Sequence, residues 1–457
     1  MRHTPSPRRL GGVDILLLLS LVVIGTLLYF TQVERFSTSD YHGDEGPWLL
    51  ASDYYFTRYA LDRDWSAETW QANRYGPWSG QSPTIGKYLI GLALWIGAPS
   101  PRDTTPQPPY NYGESFEWNL TNGTVPPLPS LIVGRRLIAF TALLAAMALY
   151  GLGRHLIGSP LVAWLAALLF LLDPLVMFAG QRLLVDMPAL LFSLLALLAG
   201  HRAIFGANRR VRWAYGVMTG LLVALAVGSK MNALLGVAVW GAWLLTVRTV
   251  PRRSLLAPLF CAMAVGTSLF FLTNPMLLHD PIHGPATLIA HGRAVADYEV
   301  PQDFRLETWR KRLDNLVITG LVETGAIYRL AEPTSWPCGR VGGCLPKPYI
   351  IGRPFPDGWL AQRPWFDAWL AAAGLLMVAL AAVNPRATAA TRRGALWLLC
   401  WALIVAGGIL LTVPFAWERW YLPMEPVWAL MQAVAISTPF VLIDRLWQMR
   451  VPTKNAT

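Results

Sequence analysis

Charged residues that could do chemistry gather at a few places in a chain that carries few charges. Asp44 and Glu45 are adjacent, and Asp186 follows four residues after Arg182. Carboxylates of this kind can accept a proton from a reacting group. Cations recur near the ends of apolar stretches, at Arg135, Arg136, Arg182, Lys230 and Arg419. A solvated turn would explain the acidic pair alone, and side chains reaching for the membrane surface would explain each cation alone. All of them together indicate a polar cleft.

The elements that carry these charges are apolar stretches long enough to cross a membrane. Hydrophobic residues make up 54% of the 457 residues and charged residues only 14%, well below the quarter that is usual in soluble domains. Stretches of about 18 to 20 apolar residues are typical of transmembrane helices. They lie near 13–30, 131–152, 160–179, 183–200, 213–229, 231–247, 254–273, 366–383, 394–414 and 422–443. The sequence therefore predicts an all-α polytopic membrane protein with about ten transmembrane helices, within a range of roughly nine to 13.

The positions of the basic residues predict how these helices are oriented. Six short segments hold 17 Lys and Arg residues and one acid: 1–12, 153–159, 201–212, 248–253, 384–393 and 444–457. Basic residues concentrate in cytoplasmic loops, so we expect both termini to be cytoplasmic and the first apolar helix to be retained. The net charge of +11 is then a topology signal, and a nucleic-acid partner is not needed to explain it.

Two long loops face the opposite side. The first, 31–130, contains 11 acidic and 6 basic residues, and the second, 274–365, contains 9 and 10. Three regions follow: an N-terminal membrane module (1–273) whose first outer loop carries the acidic pair, the second outer loop (274–365) as a cover for acceptor or donor, and C-terminal spans (366–457). Both loops are expected to contain interfacial helices. Cys338 and Cys344 leave a disulfide in the second loop open.

Lys87 opens a 12-residue apolar segment that is too short to span a bilayer. The preceding residues Gln81-Ser82-Pro83-Thr84-Ile85-Gly86 superficially resemble a nucleotide-binding phosphate loop, but the glycine spacing differs and Tyr88 stands where Ser or Thr is required. A lysine at the start of an interfacial helix would still suit a lipid phosphate.

The order of these motifs resembles the GT-C membrane glycosyltransferases that use polyprenyl-phosphate sugars, in particular the branch of protein O-mannosyltransferases and aminoarabinose transferases. The matching features are Asp44-Glu45 after the first span, Ser82-Pro83-x-x-Gly86-Lys87, an arginine at 136, and Arg182-x-x-x-Asp186. The segment Trp417-Glu418-Arg419-Trp420-Tyr421-Leu422-Pro423 is similar to the family's Arg-Tyr-x-x-Pro, with Trp420 inserted. The histidine that precedes the first proline in O-mannosyltransferases is absent here, as is a β-trefoil insert.

The resemblance implies a GT-C fold and inverting transfer of a sugar from undecaprenyl or dolichyl phosphate to a hydroxyl acceptor outside the membrane. It assigns the catalytic acids Asp44, Glu45 and Asp186, with Asp44 as the base and Glu45 orienting acceptor or sugar. The donor phosphate would be held by a set of cations, Lys87, Arg136, Arg182, Lys230 and Arg419. Mannose transfer to protein Ser or Thr is one form of this activity, and lipid or cell-wall glycan acceptors are others.

Several alternatives remain beside this hypothesis. A transporter or lipid-linked sugar flippase would also contain intramembrane charges, although broken spans do not recur in two halves of this chain. A non-catalytic scaffold would leave the polar cluster without a purpose. No cofactor is expected, and His279 with His283 offers only a weak candidate for a divalent metal. The expected partners are the lipid-linked donor, the acceptor and membrane lipids, without nucleic acid.

Overall fold

The computed structural model describes twelve parts of the chain: 11–31, 33, 41–71, 75, 78–99, 105–108, 110–111, 114–247, 250–299, 306–317, 364–413 and 420–450. Helices dominate these parts, and no strand occurs within them. The all-α fold class expected from the sequence is confirmed.

The first half of the chain forms the helices that surround the acidic pair. In chain order they are α1 (Gly12–Gly25, continued by a π-helical turn Thr26–Phe30), α2 (Glu45–Phe56), α3 (Ala67–Gln71), α4 (Ile85–Gly97), α5 (Phe116–Thr121), α6 (Leu128–Leu156), α7 (Pro160–Leu172), α8 (Pro174–Gln181) and α9 (Asp186–Phe205).

The second half continues the bundle. It contains α10 (Arg209–Ser229), a 3-10 turn Met231–Ala233, α11 (Leu234–Thr246), α12 (Arg252–Thr273), α13 (Pro275–His279), α14 (Gly284–Glu299), α15 (Trp309–Val317), α16 (Pro364–Val383) and α17 (Ala389–Thr412). A second 3-10 turn, Leu422–Met424, leads into α18 (Glu425–Arg450).

Each of the ten predicted apolar stretches coincides largely with helix. Seven helices in the described residues are long and apolar enough to cross a membrane, and an eighth span results if α7 and α8, which meet at a bend of 64°, are taken together. The remaining two stretches correspond to α11 with its preceding turn, which is shorter, and to α18. The predicted short segment after Gly86 is the helix α4.

Small residues let neighbouring helices approach closely. A Cβ atom on Gly216 would lie 2.7 Å from the Pro258 carbonyl oxygen, and one on Gly220 would lie 2.4 Å from the Ala262 oxygen, so α10 and α12 pack backbone against backbone. Close packing of this kind holds membrane helices together where lipid removes the hydrophobic driving force. The resulting rigid bundle carries the loops that form the site.

The turns between helices are capped locally. Asp173 ends α7 and begins α8, where its side chain accepts a hydrogen bond from the backbone N–H of Val176 at 2.9 Å. Pro174 follows at the first position of α8, where its missing N–H costs nothing. This cap and proline start a new helix in a new direction. Residues 182–185 then connect the end of α8 to the start of α9.

Candidate active site

Glu45 is completely buried at the start of α2, and its carboxylate is fully engaged. It accepts hydrogen bonds from Arg135 Nε at 2.8 Å and Arg135 Nη2 at 2.6 Å, and from the backbone N–H groups of His42 at 2.9 Å and Leu183 at 2.8 Å. Burial alone would raise the pKa of the Glu45 carboxyl, but the charge of Arg135 and these hydrogen bonds lower it below its ordinary value. The buried carboxylate holds the start of α2 against α6 and against the turn before α9.

Asp44 is in a different environment from its neighbour. Its side chain keeps 23% of its surface exposed, and its carboxylate lies 3.9 Å from Nδ1 of His42. The backbone N–H of Asp44 donates to the same nitrogen at 3.2 Å. Adjacent carboxylates with contrasting environments can take different roles. Asp44 is the one of the two that a substrate can reach.

The ring of Phe178 contacts both His42 and Arg182. The ring of His42 packs edge-on against Phe178 at a centroid distance of 5.7 Å, and the guanidinium carbon of Arg182 lies 4.3 Å from the centroid of that same Phe178 ring. Arg182 is only 2% exposed. Phe178 therefore links His42, two residues before the predicted base, to one of the predicted phosphate-binding cations.

Lys87 is completely buried in the first turn of α4. Its ammonium group donates to the Ser79 carbonyl oxygen at 2.6 Å and to both the hydroxyl, at 2.6 Å, and the carbonyl, at 3.2 Å, of Ser82. It also lies 5.1 Å from the centroid of the Tyr55 ring. Within the described part of the chain no carboxylate pairs with it, and burial lowers the pKa of the Lys87 amine to about 7.

Asp186 and Lys230 form an ion pair between the start of α9 and the end of α10. The Lys230 ammonium also lies 4.5 Å from the centroid of the Trp420 ring. The N-terminus of α4 packs into the same region, because a Cβ atom on Gly86 would lie 2.5 Å from Cγ1 of Val185. Only a residue without a side chain allows this approach.

A groove descends from the Asp186–Lys230 pair along one face of α9. Its α9 residues run from Asp186 to Leu197, a distance of about 16 Å at the rise of an α-helix. The groove holds about 490 Å³ of empty space, part of it open to the surroundings. The other lining residues are Lys230, Asn232, Ala233, Leu235, Gly236, Trp401, Val405, Leu422 and Pro423. The end of the groove that Asp186, Lys230 and Asn232 form, the mouth of the groove, is polar, and the remainder is largely apolar.

The structure thus brings most of the predicted site residues to one end of the bundle, although in separate contacts. Arg135, which the sequence treats only as the start of a span, is the arginine that pairs with Glu45, whereas Arg136 is exposed on the next face of α6. A role of Arg136 in holding phosphate therefore stays a prediction. Arg419, Cys338 and Cys344 lie outside the described residues. Asn232 carried no motif that predicted a place at the groove.

The histidines considered as metal ligands are used in loop contacts. Asp280 accepts a hydrogen bond from the backbone N–H of His283 at 2.9 Å, and His279 contacts the Trp65 carbonyl oxygen. No group of three or more His, Cys, Asp or Glu side chains suited to a metal ion occurs among the residues that the structure describes.

Residues 70–277 match the family of dolichyl-phosphate-mannose-protein mannosyltransferases. This match is shorter than half of the chain, and it includes Lys87, Arg135, Arg182, Asp186 and Lys230. No curated protein matches the chain in sequence.

Solved structures of two membrane enzymes are similar over nearly the whole chain. Archaeal oligosaccharyltransferase AglB from Archaeoglobus fulgidus, in complex with an inhibitory peptide and a dolichol-phosphate, is 15% identical with a TM-score of 0.56, over 97% of this chain and 52% of AglB. ArnT from Cupriavidus metallidurans bound to undecaprenyl phosphate is 13% identical with a TM-score of 0.55, over 96% of this chain and 63% of ArnT. The chain therefore spans between half and two thirds of the length of these proteins.

The protein is a multi-pass membrane protein with the fold of the GT-C membrane glycosyltransferases. Its predicted resemblance to the polyprenyl-phosphate-dependent members of that class is confirmed, and its residues 70–277 are those that are similar to the mannosyltransferase family.

Proposed function

We propose that the protein transfers a sugar from a polyprenyl-phosphate donor to a hydroxyl acceptor, with inversion at the anomeric carbon. The observation that carries this proposal is the contrast within the acidic pair: Glu45 is held by four hydrogen bonds, while the side chain of Asp44 stays partly exposed. Family and fold similarity supports the same reaction class.

In the proposed reaction the acceptor oxygen attacks the anomeric carbon as its proton passes to the Asp44 carboxylate. The bond between that carbon and the phosphate oxygen breaks, and the electron pair leaves with the lipid phosphate. A phosphate monoester is a good leaving group and needs no general acid, but its developing charge needs cations nearby. Lys230 is the cation among the described residues that line the groove, and Arg182, Lys87, Arg136 and Arg419 are proposed to add to it.

The groove suits a donor whose head is charged and whose tail is apolar. Lys230 stands at the polar mouth, and below it leucines of α9 with Trp401 and Val405 form apolar walls. We assign the polyprenyl phosphate to Lys230 and the first part of the lipid tail to these walls. This arrangement lets the donor enter sideways from the bilayer, so that no nucleotide-binding domain is required.

The finer assignments complete the proposal. Mannose is proposed as the sugar and a protein Ser or Thr as one acceptor, beside lipid or glycan hydroxyls. Both termini are placed in the cytoplasm and the site outside, with 1–273 supplying the catalytic residues, 274–365 the cover and 366–457 the closing spans. Mass spectrometry of glycoproteins and glycolipids from a deletion strain would identify the acceptor.

The test of the reaction is the substitution Asp44→Asn in purified protein reconstituted in nanodiscs. Removal of a general base lowers rates by on the order of 10²–10⁴, so transfer of mannose from dolichyl- or undecaprenyl-phosphate-mannose should fall by that amount while thermal stability is kept. Asp62→Asn is the matched control, because the side chain of Asp62 in the same loop is 47% exposed and pairs only with Arg58 at 3.5 Å. Normal transfer by Asp44→Asn would refute the assignment.

A further inference from the structure

Asn232 stands at the mouth of the groove in the 3-10 turn that directly follows Lys230. Four polar side chains are found among the described residues that line this groove. Asp186 and Lys230 pair with each other, and the Ser193 hydroxyl donates to the Ala189 carbonyl oxygen at 2.8 Å. Within the described part of the chain, the amide of Asn232 is the one of the four that makes no hydrogen bond.

A structural role does not account for this amide. The residue at the start of the turn is Lys230, and no side chain caps it. Asn232 lies inside the turn, where its backbone carbonyl oxygen accepts a bond from the N–H of Leu234, and the residue is half-buried in the groove lining. A half-buried amide that caps no turn and lies at a groove can bind a ligand there, and polar groups at the ends of membrane spans are functional candidates.

The chemistry of the mouth indicates which group the amide would bind. A phosphate oxygen only accepts hydrogen bonds, whereas a sugar hydroxyl both donates and accepts, as does an asparagine amide. The neighbouring Asp186 carboxylate adds an acceptor for a second hydroxyl, and Lys230 supplies the positive charge that a phosphate requires. Trp420 forms an aromatic wall against Lys230. An acceptor, an amide and an aromatic wall around one cation suit a sugar that is linked to a phosphate.

We infer that Asn232 is a specificity-determining residue that hydrogen-bonds a hydroxyl group of the donor's sugar, next to the Lys230 that holds its phosphate. This inference rests on the proposed function, since it takes a polyprenyl-phosphate sugar as the ligand of the groove. It adds a residue that recognises the sugar of the donor rather than its lipid or its phosphate. Hydroxyls whose orientation lets them meet both Asn232 and Asp186 would be preferred.

The experiment compares donor probes with and without a sugar. Wild type and Asn232→Leu, a substitution of similar volume, are reconstituted in nanodiscs, and equilibrium binding is measured for undecaprenyl phosphate and for undecaprenyl phosphate bearing mannose, glucose or galactose. Loss of one hydrogen bond predicts about 3- to 10-fold weaker binding of the glycosylated probe that wild type binds best. Binding of undecaprenyl phosphate should stay unchanged. Asn384→Leu, in the loop between α16 and α17, is the matched control and should alter neither.

Each other outcome contradicts the inference in a recognisable way. Equal weakening of both kinds of probe means that Asn232 acts on the phosphate or on the fold, and no weakening means that it does not touch the donor. Wild type could instead bind undecaprenyl phosphate and all glycosylated probes with the same affinity. Recognition of the sugar at this groove would then be refuted, while the binding site for the lipid phosphate would remain supported. If wild type binds none of the probes, the proposed function itself fails.

Discussion

Substitutions in the ion pair between Glu45 and Arg135 can distinguish a residue that stabilises the fold from one that takes part in the reaction. Both side chains are completely buried, and removal of one partner from a buried pair leaves an uncompensated charge at a cost of about 3–5 kcal/mol. In Glu45→Gln the arrangement of the four hydrogen bonds adds to this loss of stability. Each carboxylate oxygen accepts one bond from Arg135 and one from a backbone N–H group, so whichever way the amide turns, its NH2 group faces two donors.

We therefore expect Glu45→Gln to lower the free energy of unfolding by about 3–5 kcal/mol, measured by SDS titration of the protein in mixed micelles. Arg135→Gln should cost a similar amount. The double substitution removes both charges and should recover part of the loss, which a double-mutant cycle reports as a coupling energy. The matched control is Glu117→Gln, an exposed carboxylate in the first turn of α5, which should change stability by less than about 0.5 kcal/mol.

The result that would refute this reasoning is a Glu45→Gln protein as stable as wild type whose transfer activity falls as steeply as that of Asp44→Asn. Glu45 would then act on the substrate, and its four hydrogen bonds would be dispensable. Loss of stability in Glu45→Gln, beside loss of transfer at unchanged stability in Asp44→Asn, would establish the division of labour within the acidic pair.

Two further predictions follow from Lys87 and from the glycine beside it. Burial places the pKa of the Lys87 amine at about 7, so the ammonium form that attracts a phosphate is lost as pH rises from 6 to 8. The KM for the donor should therefore increase over that interval. A Lys87→Met protein whose KM showed the same rise would contradict this. Gly86→Ala would place a Cβ atom 2.5 Å from Val185 and should reduce both thermal stability and donor binding. The control Gly241→Ala, which has open space around it, should alter neither quantity in the same thermal-shift and donor-binding assays.

The membrane helices could be predicted because their signal is local. An apolar stretch such as 254–273 becomes a helix in lipid whatever its neighbours are, since the backbone must satisfy its own hydrogen bonds there. The bend between α7 and α8 also has a local signal in Asp173-Pro174. Element boundaries moved by a few residues where polar ends continue the helix, as in α6, which starts at Leu128 and ends at Leu156.

The partners of the charged residues could not be predicted in the same way. Glu45 and Arg135 are 90 positions apart, and Asp186 and Lys230 are 44 apart. Two adjacent arginines lie in the same helix, and which one faces inward depends on the rotation of α6 against α2 and α9. The sequence therefore pointed to Arg136 as the functional arginine, while the packing directs Arg135 to Glu45.

The sequence by itself determined the helical membrane fold, the GT-C resemblance and the set of residues that carry charge in an apolar chain. Composition and the length of the apolar stretches predict the membrane helices and single out their charges, since charges in a membrane are costly, whereas the GT-C resemblance rests on the order of the motifs. Only the tertiary structure decided how those charges divide. It enclosed Glu45, left Asp44 partly exposed, and placed Asn232 and Lys230 at one groove with Asp186, because these environments arise from contacts between helices that are distant in the chain.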